Sequence, residues 1–256
     1  MNPNMSFMVA LLALLGTLPI SARAESGEPV TLKWTEGDFA GGTTIWTSDG
    51  KSVQGYSSYR QHREGDRLII EQAAYYRDGS RDEEKSVVRV GPKLEAISGH
   101  TIIRDAKAKA IVDLRIDVAK RRVTGFYIEE GERHDVDEEI DIGPGTYWGS
   151  LFNLIVKNFE ANATDGKLVF EAVLVTPKPR VLDMELAREG SVTISRIGGS
   201  MKSEKLTLLP TINFLVDPIV QRIAPKTEFF VVAGSPPAMM RFDGPRNYAG
   251  QRIRLE

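Results

Sequence analysis

The feature that most constrains this chain is a hydrophobic period of two that recurs along most of its length. Val112, Leu114, Ile116 and Val118 alternate with Asp113, Arg115, Asp117 and Ala119. Leu168, Phe170, Ala172 and Leu174 alternate with Val169, Glu171 and Val173, and Leu182, Met184 and Leu186 with Asp183, Glu185 and Ala187. Successive side chains of an extended chain point to opposite faces, so each run reads as a strand with one buried face. Residues 43–48, 54–62, 67–77, 85–90, 100–104 and 122–130 read as further strands. Asp49-Gly50, Glu64-Gly65, Asp78-Gly79, Gly91-Pro92 and Asp165-Gly166 mark the turns between them. Turns this short make neighbouring strands antiparallel, and a sheet of about ten or more strands curls or closes rather than staying flat.

Two segments break the period. Gly149 to Ala161 carries Leu151, Phe152, Leu154, Ile155, Val156 and Phe159, with Asn153, Lys157 and Glu160 set apart. That spacing predicts a helix with a broad apolar face. Pro210 to Ala224 is equally apolar, and Asp217-Pro218 fits a helix N-cap followed by proline at the first helical position. The expected fold is therefore mainly β: a large antiparallel curved sheet, a half barrel or open barrel, with one or two apolar helices on its concave side.

The first residues form a separate unit. Met8 to Ile20 is an apolar run too short for a helix that crosses a bilayer, which needs about 20 residues. Ala22-Arg23-Ala24 follows with small residues at the positions a signal peptidase reads. Residues 1–24 read as a secretory signal cleaved after Ala24, which leaves 25–256 as a single β-rich domain that is periplasmic or secreted, with no transmembrane span. The chain has no cysteine, which suits a bacterial periplasm better than a eukaryotic secretory route. It also excludes thiol catalysis and thiolate metal sites. A net charge of −2 removes the basic footprint of a nucleic-acid binder.

Tyr147-Trp148-Gly149-Ser150-Leu151-Phe152 opens the apolar helix, and Pro236-Pro237-Ala238-Met239-Met240-Arg241-Phe242-Asp243-Gly244-Pro245 leads to the end of the chain. With the order of signal, β meander, apolar helix, two long strands, apolar segment and closing strand, the chain resembles uncharacterised periplasmic proteins of proteobacteria related to the lipoprotein-carrier half barrels. The resemblance implies an incomplete barrel that holds acyl chains or another hydrophobic guest. It transfers no catalytic residue.

The catalytic motifs are weak. Ser48 and Lys51 have the Ser-x-x-Lys spacing of penicillin-recognising enzymes, but Asp49-Gly50 between them is a hairpin turn, whereas the chemistry requires a helix. His62, His100 and His134 are scattered, and no Gly-x-Ser-x-Gly elbow accompanies them. Asp135, Asp137, Glu139 and Asp141 alternate in an acidic run, but Ile140 and Thr146 stand where a calcium loop needs glycine and glutamate. That run reads as a solvated strand face or loop. No cofactor and no metal are implied.

The aromatic and apolar residues carry the binding expectation. Trp34, Trp46, Tyr76, Phe126, Trp148, Phe152, Ile155, Phe170, Met184 and Phe214 are the candidates for lining a hydrophobic cavity between helix and sheet. The leading expectation is an exported protein that carries a lipid or other hydrophobic molecule without covalent chemistry. The alternatives are a non-catalytic structural or interaction protein of the cell envelope and, behind it, a hydrolase.

Overall fold

The computed structural model describes residues 27–35, 37–174, 179–196, 199–211, 226–246 and 251–256. The expected signal at 1–24, nearly all of the second apolar segment, and Phe214 lie outside the described residues. Among the described residues fifteen strands form one sheet: β1 (Phe39–Thr47), β2 (Val53–Glu64), β3 (Arg67–Tyr76), β4 (Arg81–Val90), β5 (Leu94–Arg104), β6 (Ala110–Asp117), β7 (Arg122–Glu129), β8 (Glu132–Glu139), β9 (Thr146–Tyr147), β10 (Lys167–Leu174), β11 (Arg180–Arg196), β12 (Gly199–Pro210), β13 (Thr227–Val232), β14 (Ala238–Pro245) and β15 (Arg252–Leu255).

The sheet is mainly antiparallel and open, as the alternation predicts. Strands β1 to β8 run as one meander. Strands β10 to β15 run as another, and β15 joins the two by pairing with β1. The edges are β8 and the two-residue β9, which pairs in parallel with β10. Asp49-Gly50, Asp78-Gly79 and Asp165-Gly166 all form turns, with the glycines at positive φ. Asp165 and Gly166, at φ 51° and 75°, show why short-turn residues stand there. Most of the acidic run forms edge strand β8, and Asp141 lies beyond its end. There Asp135 and Asp137 are exposed and ion-paired to Arg133 and Arg122, while Val136 between them is buried. Charge along an open edge discourages pairing with another chain.

Helical turns occupy the inner side. A 3₁₀ turn, Gly149–Leu151, leads into α1 (Phe152–Lys157) and α2 (Phe159–Asn162). The single helix expected over 149–161 is thus three short pieces. The chain leaves helical geometry at Asn158, φ −102° and ψ 11°, where the side chain is committed to neighbouring backbone. The 3₁₀ turn touches β3 and β4, and α1 touches β13 and β14. Those strands lie on opposite sides of β1 in the sheet order, so one helical segment reaches both only because the sheet curls around it. Tyr147, on one edge strand, donates its hydroxyl to the Leu94 carbonyl of β5 at 2.7 Å and accepts the Val30 N–H at 2.8 Å. Those bonds draw the edge at β9 toward the first meander. Register shifts along β1–β2, β4–β5, β5–β6, β11–β12 and β13–β14 are the bulges that bend such a sheet.

One charge cluster on the outer face gives this fold an acid-sensitive element. Glu189, at the β11 bulge, pairs with Lys226 at 2.7 Å and Lys205 at 3.1 Å. These ammonium groups, Lys226 first, hold its carboxyl down from the ordinary 4.5 to about 2. A depressed carboxylate stabilises the fold above its unfolded pKa and loses that contribution as pH falls through the folded value. The Glu189→Gln variant is expected to melt below the native protein above pH 4.5 and to converge with it near pH 2. Melting curves across that window check this. A constant gap at both ends would show that Glu189 acts through packing alone.

Candidate functional site

The structure gathers half of the expected cavity residues around the helical segment. Trp148, Ile155, Phe170 and Met184 are buried in the main apolar cluster, and Phe152 packs against it half-buried. Phe170 lies between two rings, with centroids 6.0 Å from Tyr147 and 5.8 Å from Phe152. A Cβ on Gly99 would lie 2.6 Å from the Trp148 indole, so β5 carries glycine where the indole lies flat on the strand.

A buried polar chain holds this aromatic start to β4. The Trp148 indole N–H donates to Ser86 Oγ at 2.9 Å. Ser86 and Ser150 hydroxyls are 3.2 Å apart, and Ser150 donates both its N–H and its hydroxyl to Glu84, at 2.7 and 2.6 Å. Gly149 sits at φ 38°, and a side chain there would strike the Glu84 carboxylate. Burial of these polar atoms is tolerable because each is paired. Tyr147 is buried as well, and desolvation holds its phenol well above its ordinary value, so it stays neutral and able to donate.

The remaining candidates lie elsewhere. Trp34 belongs to an N-terminal strap beside the helical turns, and its backbone is bound by Asn158. Trp46 follows the buried Ile45 along β1, so alternation sends it to the outer face. Phe126 also faces outward, with the Arg133 guanidinium 3.8 Å from its ring centre. Tyr76 sits at an inner rim, where it donates to Asp82 and lies 3.5 Å under the Arg246 guanidinium. Arg246 also holds Asp82 through two hydrogen bonds, at 3.0 and 2.8 Å. This bridges the turn after β14 to β4.

Sequence reasoning missed three groups. Asn158 lies one turn from both Leu154 and Ile155, on the apolar arc, and a polar residue on a buried arc is a signal of a committed hydrogen-bonding role. Asn162 opens the glycosylation-acceptor pattern Asn162-Ala163-Thr164, yet its amide bonds both the N–H and the carbonyl of Thr31. The third group is a pair of open clefts on the sheet. One, of about 390 Å³, includes Tyr56, Tyr75, Arg77, Gly79, Arg81 and Ala108 in its lining. The other, of about 470 Å³, lies over a cross-strand charge ladder that includes Arg60, Glu71, Lys85 and His100. His100 contacts Asp113 at 2.9 Å, but Ser58, which also lines that cleft, is on β2, three strands away from β5. At about 4.8 Å per strand that is well beyond hydrogen-bond reach for a nucleophile and its base. Among the described residues no group of three or more His, Asp or Glu is placed to hold a metal ion, and no helix is long and apolar enough to cross a membrane.

No protein-family model and no curated protein matches this chain. Among solved structures it is similar to a beta-barrel-like protein of a domain of unknown function, DUF1849, from Brucella abortus, at 6% sequence identity and a TM-score of 0.47, over 88% of this chain and 95% of that one.

Proposed function

We propose that this protein is an exported, non-catalytic interaction protein of the bacterial cell envelope, one domain in its mature form, which works through the outside of its curled sheet. The observation that carries this reading is the disposition of apolar and open surface. The inner face is occupied by the chain's own helical segment, with Tyr147, Trp148, Leu151, Ile155 and Phe159 almost wholly buried. A lipid of ordinary size would have to displace those side chains, whose burial contributes roughly 2 kcal/mol each. The described clefts open instead over polar and aromatic residues of the sheet.

The hydrophobic-carrier reading keeps one observation in its favour. The helical segment is broken into three short pieces, and such pieces separate from a sheet more readily than one long helix. Native mass spectrometry of protein purified from its own periplasm separates the two. The expected result is the mass of the processed chain, cleaved after Ala24, with no bound guest. A stoichiometric hydrophobic mass, released by organic extraction, overturns the interaction reading in favour of the carrier. An unprocessed mass overturns the export.

A further inference from the structure

We infer that the cleft lined by Tyr56, Arg77 and Arg81 is a binding site for an anionic saccharide chain. This deepens the outer-face reading above and rests on it. Alternation places Tyr56, Tyr75, Arg81 and Arg104 in one outward row, since they pair directly across β2, β3, β4 and β5 while Ser57 and Ala74 beside them are buried. Tyr56 is 61% exposed, and no other large apolar or aromatic side chain among the described residues is more so. Its ring stacks on Tyr75, centroids 5.0 Å apart and planes 21° from parallel. Tyr75 therefore holds the Tyr56 ring in place and leaves its other face to solvent. A fixed, solvent-facing ring is a platform for the C–H face of a sugar, whose slightly positive hydrogens suit the negative face of the ring.

The surroundings are cationic. Arg77 is exposed and has no ion-pair partner among the described residues. Arg81 and Arg104 share one acid, Glu83, at 3.6 and 3.3 Å. Asp78, in the same turn, is held by the Ser80 N–H and hydroxyl, and Asp105 in the next turn is held by the Lys107 and Lys109 N–H groups. The lining thus carries two guanidinium groups, Arg77 and Arg81, and no carboxylate, and Arg104 pairs directly across from Arg81 on β5. Guanidinium forks match carboxylate and phosphate oxygens in pairs.

Shape selects the ligand class. Gly79 and Ala108 leave the lip of the cleft without large side chains, so a chain can lie across it. Among the described residues nothing encloses an acyl tail, which needs walls on several sides. A nucleic acid is disfavoured by the net charge of −2 and by the short extent of the basic patch.

The test is titration of the full mature protein with a short oligouronate, a phosphorylated oligohexose, a neutral oligohexose of equal length and a single-stranded oligonucleotide. At least one anionic saccharide is expected to bind, with the neutral one about tenfold weaker. Tyr56→Ala and Arg77→Ala are each expected to weaken it about tenfold. Both side chains are exposed, so melting temperatures should not move. No saccharide binding, equal binding of the neutral sugar, indifference to Tyr56→Ala, or tighter binding of the oligonucleotide each overturns the inference. The native mass decides the broader reading separately: a guest-free chain that ignores saccharides leaves the interaction reading standing and removes only this ligand.

Discussion

Trp148→Ala is expected to lower the stability of the fold by about 3–5 kcal/mol, near the upper end of what one buried side chain contributes. The indole is 2% exposed and packs on the bare backbone of Gly99. Its removal opens a cavity at the point where the first meander meets the helical segment. It also leaves Ser86, 0% exposed, without the N–H that it accepts. For a chain of this length such a loss lowers the melting temperature by roughly 10 °C. Urea unfolding of the variant beside the native protein measures it. A loss below about 1 kcal/mol would mean that the cluster repacks freely and that the helical segment is only loosely seated. Trp148→Phe keeps most of the volume and loses the donor, so its loss relative to the native protein reports chiefly the hydrogen bond, worth about 1 kcal/mol, and the further loss in Trp148→Ala reports the cavity.

Asn158→Ala is expected to cost about 2–4 kcal/mol, and its effect should be local before it is global. The Asn158 amide is buried and makes four hydrogen bonds. It accepts from the Lys33 and Trp34 N–H groups, both at 2.8 Å, and donates to the Trp34 and Leu154 carbonyls at 3.1 and 2.9 Å. Thr31 is held in the same way one turn on, by Asn162. The two asparagines act as a substitute strand edge for a segment that has little sheet of its own. Hydrogen exchange should therefore show the amides of residues 30–34 losing protection in Asn158→Ala while those of β10 and β11 keep theirs. Equal loss everywhere would indicate that the strap and the sheet unfold as one unit. Asn158→Asp is expected to do nearly as much harm, because a carboxylate cannot donate to the Trp34 and Leu154 carbonyls.

Much of the architecture was legible because alternation is a local property. The run from Val112 to Asp117 needs no distant partner to declare which face is apolar, and β6 buries Val112, Leu114 and Ile116 accordingly. The turns were legible for the same reason, since Asp-Gly pairs state their backbone preference residue by residue. Asn158 and the Glu84–Ser86–Ser150 chain were not legible. Their roles depend on groups more than sixty positions away, and a serine on a strand looks the same whether it meets water or an indole. The candidate cavity residues divided for a related reason. An aromatic residue announces that it will be covered or used, but not on which side of a sheet. Trp46 and Phe126 went outward because Ile45 and Val123 take the inner positions of their strands.

The sequence by itself determined a mainly antiparallel β sheet too large to stay flat, its turns, and an apolar segment at 149–161 destined for its inner side. These follow from side-chain period and turn chemistry, which act over a few residues. Only the tertiary structure decided that β15 would join the two meanders through β1, that the helical segment would break at Asn158, and that Tyr56, Tyr75, Arg77 and Arg81 would meet in one outward cleft. Those outcomes depend on strand register and on which distant backbone groups remain to be paired, and both are settled only when the whole sheet curls around its core.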